Sequence, residues 1–277
     1  MKKVTGWGFV AVFVWFSALG AIYAEEEMGP EQYAARAVQS VKDGKQAEAL
    51  ADFNKAVELA PDKPIHYRNR AAFFSLTKQW DKAIADYDTL LKLDKNDLAT
   101  PLNRGYAYVQ LGKLDRALID FDTVLKAQPD NDRALRYRAY IYQTQKQYAK
   151  AADDLTKLIA RNPNEPHTYK SRADAETAQA KWTEAIADYS KVLELDPKDL
   201  ESVSGRAIAY AHAGDVEKEV ADLNAALEAN PDNLEFLKMR GQANYDKNQF
   251  DPAITDFSKA IGLKSDDASL YAARGFA

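Results

Sequence analysis

Apolar and polar positions alternate in blocks along nearly the whole chain. From Pro64 to Asp97, Tyr67, Ala71, Phe74 and Leu76 recur at helical spacing and give way to the polar Thr77, Lys78 and Gln79. This pattern predicts a first helix ending near Lys78. Apolar periodicity resumes at Trp80, Ala83, Ile84, Tyr87, Leu90 and Leu91, then breaks at Asp94, Lys95, Asn96 and Asp97, so a second helix is predicted to run to about Leu93. The block then returns. A shift of 34 residues aligns Ala49, Ala83, Ala117, Ala151, Ala185 and Ala253, with Glu219 as the single exception. The same shift aligns Pro61, Pro129, Pro163, Pro197 and Pro231, with Lys95 and Ser265 in the two remaining places. A constant period without insertions predicts a stacked array of helix pairs and not a closed core. Small residues recur on the first helices at Ala71, Gly105, Ala139, Ala173, Ala207 and Gly241. Together with the alanine series they mark the crossing of an antiparallel pair, because small side chains let two backbones approach.

The unit resembles the tetratricopeptide repeat, in which aromatic, small and proline residues hold fixed places over 34 positions. The third copy shows the pattern as Gly105, Tyr108, Ala117, Phe121 and Pro129, and the fifth as Tyr169, Ala173, Ala185, Tyr189 and Pro197. The resemblance implies an all-α fold: a right-handed superhelical solenoid of stacked antiparallel helix pairs, with a concave inner face made mainly by the first helices. Seven copies are expected, at 30–63, 64–97, 98–131, 132–165, 166–199, 200–233 and 234–267. Residues 268–277 begin an eighth first helix, with Tyr271, Arg274 and Gly275 in register. Arrays normally finish with a polar capping element, so the chain is expected to be a piece of a longer one, with its uncapped C-terminal end a surface for homo-oligomerisation or for a partner.

Residues 1–24 stand outside the pattern. Lys2 and Lys3 precede an uncharged apolar run from Trp7 to Tyr23, and Ala24 closes it before the acidic lead-in of 25–29. That is the layout of a secretory signal peptide, with an uncleaved membrane anchor as the alternative. Either form places the repeats across the membrane, in the bacterial periplasm or envelope, because the lysines stay on the inner side. The chain has no cysteine, which excludes disulfides and thiolate metal sites, and no Asn-x-Ser/Thr acceptor. Without Lys2 and Lys3 it carries 35 basic residues (37 less two) against 42 acidic ones, a balance that disfavours general nucleic-acid binding. Contact with the membrane is expected only through residues 1–24, if they are retained.

One column is unusual. Position seven of every copy is arginine (Arg36, Arg70, Arg104, Arg138, Arg172, Arg206, Arg240, Arg274), and position twenty-three is aspartate (Asp52, Asp86, Asp120, Asp154, Asp188, Asp222, Asp256). A ladder of partly buried ion pairs is predicted, either within a copy or between an aspartate and the next copy's arginine, since the planar guanidinium grips a carboxylate at two points.

Catalytic chemistry finds no support. His66, His167 and His212 occupy three different repeat positions without metal-ligand spacing and read as surface residues, Ser75 to Lys78 matches a serine-x-x-lysine pattern without its companion motifs, and no phosphate-cradling glycine loop occurs. No metal site and no cofactor are implied.

In the family, the second, fifth, sixth, ninth, twelfth and thirteenth positions of the first helices line the groove. Carried onto this chain, they single out Arg68, Asn69, Leu102, Asn103, Tyr106, Arg133, Arg136, Tyr137, Tyr140 and Lys170, a basic and aromatic strip, with Glu201, Glu235, Lys238, Gln242, Tyr245 and Asp246 making a more acidic end. Tyrosine and arginine are common interface anchors. The chain is therefore expected to be a non-catalytic scaffold or adaptor of the cell envelope, holding a peptide or helix of another envelope protein in its groove. Two other readings are an enzyme whose catalytic domain follows residue 277 and a polysaccharide-export guide whose tyrosines stack on sugars.

Overall fold

A computed structural model describes residues 28–277; the signal-like segment 1–24 and the first residues of the acidic lead-in lie outside them. The described residues form fifteen α-helices and no strand. The described residues divide into two compact units at Asn69 and Arg70, taken in turn.

In the first unit, α1 (Pro30–Lys42) opens on a proline whose fixed φ suits the first helical turn, and Gln32 Oε1 accepts the Gly29 amide at 2.7 Å. Gly44, with φ +76°, turns the chain into α2 (Gln46–Leu59). Ala37 and Ala49 are fully buried where the small-residue series predicts the crossing. Arg36 grips Asp52 with Nε and Nη2 at 2.7 and 2.6 Å.

The second unit begins within α3 (Pro64–Leu76) and continues through α4 (Trp80–Leu93), α5 (Ala99–Gln110), α6 (Leu114–Ala127), α7 (Asp132–Thr144), α8 (Tyr148–Arg161), α9 (Pro166–Thr177), α10 (Trp182–Leu195), α11 (Leu200–Ala213), α12 (Val216–Ala229), α13 (Leu234–Asp246), α14 (Phe250–Leu263) and α15 (Ala268–Phe276). From α4 to α15 successive helices pack on one another, so the apolar interior is strung along the chain instead of gathered in one centre. The crossings are tight. A Cβ added at Gly105 would stand 2.8 Å from the Phe121 ring, and one at Gly241 the same distance from Phe257.

The turn between paired helices has a single geometry. Lys78, Gly112, Lys146, Ala180, Gly214 and Asn248 all take a left-handed backbone, φ between +57° and +78°. The next amide then reaches back to a carbonyl five residues earlier, as from Gln79 to Phe74 at 2.7 Å and Lys113 to Tyr108 at 2.9 Å. Glycine occupies this place in only two of those six turns, so hydrogen bonding and packing, not residue type, set the turn.

The charge ladder lies within copies and also between them. Arg104, Arg138, Arg172, Arg206 and Arg240 each bind the aspartate sixteen residues on through Nε and Nη2, at 2.6 to 2.9 Å. The remaining nitrogen, Nη1, donates backward to the second helix of the preceding copy: to Asp88, Asp122, Thr156, Ser190 and Asn224. Each guanidinium thus ties its own first helix to the second helix of its pair and to the second helix of the previous pair. The hydrogen bond to Asp120 holds Arg104 firmly protonated, above the ordinary guanidinium range. Among the described residues no helix is long and apolar enough to cross a membrane.

Candidate functional site

The first helices α5, α7 and α9 place most of the sequence-predicted strip; Asn131 caps α7, and Asp97, just ahead of α5, accepts an amide. Asn131 Oδ1 accepts the Ala134 amide at 3.1 Å, and Asp97 accepts the Ala99 amide at 2.9 Å. On these helices Arg133 is exposed, Tyr140 is 53% exposed, and Asn103, Tyr106, Arg136, Tyr137 and Lys170 are half-buried. Arg68 and Asn69 belong to the first unit, where Arg68 is exposed and Asn69 half-buried. Leu102 departs from the expectation. It is only 7% exposed and joins the core around Phe121 and Leu135, because at this point of α5 position five turns toward the stack.

Two of the cations are already engaged. Arg136 binds Glu165, held below the usual carboxylate range by that bond, and also reaches Thr168 at 3.3 Å. Lys170 binds Glu201 at 2.5 Å. The tyrosines are joined as well: Trp80 meets Tyr106 edge-on at 5.6 Å, Tyr106 meets Tyr137 at 5.3 Å, and Tyr137 stacks on Phe121 at 5.3 Å and 17°. The strip is thus a packed aromatic floor, carrying Tyr140 and Arg133 as its exposed members.

Farther along the same face the floor is missing. A cavity of about 510 Å³ opens among α11, α13 and α15, where Ile208, Met239, Gln242 and Ala273 occupy first-helix positions. Its lining includes Glu219 from α12. Glu219 is 7% exposed. Among the described residues its carboxylate has no hydrogen-bond partner, and burial, with the Asp246 charge as a smaller contribution, pushes it up to about 7. Glu235 and Lys238 also line this cavity, paired with each other at 3.7 Å on α13, and His212 lies flat on Trp182 with ring centres 4.3 Å apart.

In the sequence Glu219 shows only as the gap in the alanine column. That gap is the available signal: a carboxylate at a place where six alanines mark a helix crossing is either strained or given room, and here it is given room. Reading all three histidines as surface residues also needs correction. His167 and His212 are exposed, but His66 is 2% exposed with neither ring nitrogen hydrogen-bonded, since position three points inward in most of the copies. A second carboxyl pushed up to about 7 by burial, Glu176, occupies a place held by an aromatic in the copies with Phe74, Tyr108, Tyr142 and Tyr210. It lies 3.9 Å from Arg172 and is not part of the cavity beside Glu219.

The profile of the tetratricopeptide repeat family matches residues 102–166, 171–233 and 220–268. A sequence comparison with curated proteins gives no match. Among solved structures, a tetratricopeptide repeat protein from Parabacteroides merdae is similar with a TM-score of 0.58 and 20% identity, over 89% of this chain and 98% of that one. The C-terminal part of a repeat-containing protein from Cytophaga hutchinsonii is similar with a TM-score of 0.68 and 19% identity, over 87% and 98%. YrrB, described as having an unusual peptide-binding site, is similar with a TM-score of 0.50 and 18% identity, over 80% and 97%. At these identities the likeness concerns the fold.

Proposed function

The chain belongs to the tetratricopeptide repeat family, and on that premise we propose that it is a non-catalytic scaffold holding an extended or helical segment of a partner protein against the first helices α5, α7 and α9. Arrays of this family generally serve protein–protein interaction. The observation that carries the reading is the state of α7. Tyr140 is 53% exposed and Arg133 is exposed, next to an aromatic floor whose other members already pack on one another. A large aromatic and an uncommitted guanidinium on a rigid helix supply contact area and a carboxylate grip at low ordering cost. The preferred segment carries an acidic residue for Arg133 and an apolar one for Tyr140. The basic and apolar layout of residues 1–24 supports export to the envelope, where the partner would be another envelope protein.

A photo-crosslinking phenylalanine analogue at Tyr140, in the full chain expressed in a bacterial envelope, tests this. A discrete protein adduct, reduced several-fold by Arg133→Glu and missing when the same analogue replaces the exposed Ile119 of α6, is the expected result. Equal adduct yields from both positions, or indifference to Arg133→Glu, would refute the placement.

A further inference from the structure

We propose that the cavity among α11, α13 and α15 is a subsite for a cationic side chain, arginine or lysine, of the partner segment, with Glu219 as its counter-charge. The inference deepens the scaffold reading above and rests on it. Three observations carry it. Glu219 is more than nine-tenths buried and has no hydrogen-bond partner among the described residues, so burial disfavours its charged form until a counter-charge completes it. The space beside it is open, about 510 Å³, and walled by Ile208, Met239 and Leu270, which suit the methylene stem of a long basic residue. The charges around it have the sign that attracts a cation: Asp246 and Glu235 are acidic, and Lys238 on the same helix is paired with Glu235.

Other ligand classes fit less well. A metal ion would find Glu219 and Glu235 but, among the described residues, no cluster of three acidic or histidine side chains of the kind a hard cation needs. An anion would meet Glu219 itself.

Ionisation follows from occupancy. Without a guest, burial keeps Glu219 protonated up to about neutral pH. A guanidinium in contact favours the carboxylate, so binding releases a proton and strengthens as pH rises through 7. The groups facing this carboxyl are Asp246, Glu235 and Lys238 from α13 and His212 from α11; α14 and α15 contribute the uncharged Phe257 and Ser269.

The test uses the full chain with ¹³C-labelled methionine methyls, since Met239 is one of only three methionines and lines the cavity. N-acetyl-arginine methylamide is titrated in, and the citrulline analogue, of the same shape but neutral, serves as control. The Met239 methyl should shift saturably with the arginine compound, at least about ten-fold more weakly with citrulline, and lose the preference in Glu219→Gln and Glu219→Ala. The second variant restores the alanine of the other copies and so keeps the fold. No saturable shift, an equal response to both compounds, or a preference that survives both variants would overturn the proposal. Because the probe is a free compound, its result is independent of whether Tyr140 crosslinks: failure here with a Tyr140 adduct removes the subsite alone, and a missing adduct with a positive titration removes the segment's placement on α7.

Discussion

The stretch from α5 to α8 and the stretch from α11 to α15 are built on one pattern and end in opposite states. In the first, Ala117 is fully buried at the crossing, Tyr137 stacks on Phe121, and the first-helix face is closed by aromatic rings. In the second, Glu219 takes the corresponding place, Met239 replaces the tyrosine, and the face opens into a cavity. The ladder differs in the same direction. Nη1 of Arg104 and Arg138 reaches Asp88 and Asp122, whereas that of Arg206 and Arg240 reaches the neutral Ser190 and Asn224. A repeat scaffold thus fixes where side chains point and leaves each copy free to fill or empty its own part of the face, because each copy depends only on its neighbours.

Exchanging the two states gives the largest expected effect. Ala117→Glu places a carboxylate at a fully buried position of the apolar core and should cost more than about 4 kcal/mol, read as lost hydrogen-exchange protection across α5 to α8. If Ala117→Glu is tolerated, the cavity is not what accommodates Glu219. Next comes the ladder. Arg138→Ala leaves Asp154, whose side chain is 3% exposed, without its main partner and should cost about 3 kcal/mol, and more than Arg240→Ala, whose Nη1 contact is neutral. Equal losses would show that the backward contact adds nothing.

The reverse exchange, Glu219→Ala, should stabilise. The carboxyl is raised from its ordinary value of 4.5 to about 7, so the folded chain binds more protons than the unfolded one between those limits, and stability falls as pH rises through them. The variant should therefore gain about 2 kcal/mol over the parent at pH values above about 7 and little near the unfolded value, checked by thermal unfolding at both. The smallest effect concerns the turns. Lys146, at φ +58°, should gain about 0.5 kcal/mol on Lys146→Gly, because relief of a left-handed backbone outweighs the added freedom of the unfolded chain. Gly112→Ala, also at positive φ, should lose by a similar margin.

Much of this is legible in the chain. The break at Thr77 to Gln79 separates α3 from α4, and the arginine and aspartate columns meet as pairs. These features repeat, and repetition turns a weak local pattern into a strong one. The third contact of each guanidinium is harder to foresee, although a polar residue recurs two places after every ladder aspartate (Asn54, Asp88, Asp122, Thr156, Ser190, Asn224 and Ser258). The candidate site is harder still. Position within a helix says which side chains share a face, but not that Leu102 sinks into the core, that Arg136 and Lys170 find Glu165 and Glu201, or that Tyr106 and Tyr137 use their rings on each other. Those outcomes depend on neighbours from other copies. Glu219 lies in plain view as an exception, but the space around it depends on five helices at once.

The most direct measurement is the ¹³C titration of the Glu219 side-chain carboxyl in the full chain, assigned by its loss in Glu219→Gln. A midpoint near 7 without ligand, moving downward when N-acetyl-arginine methylamide is added, is what a buried and unpaired carboxylate beside an open cation subsite predicts. A midpoint in the ordinary carboxylate range, unmoved by the arginine compound, would mean that Glu219 is already solvated or paired and that the two stretches of the array do not differ in the way described.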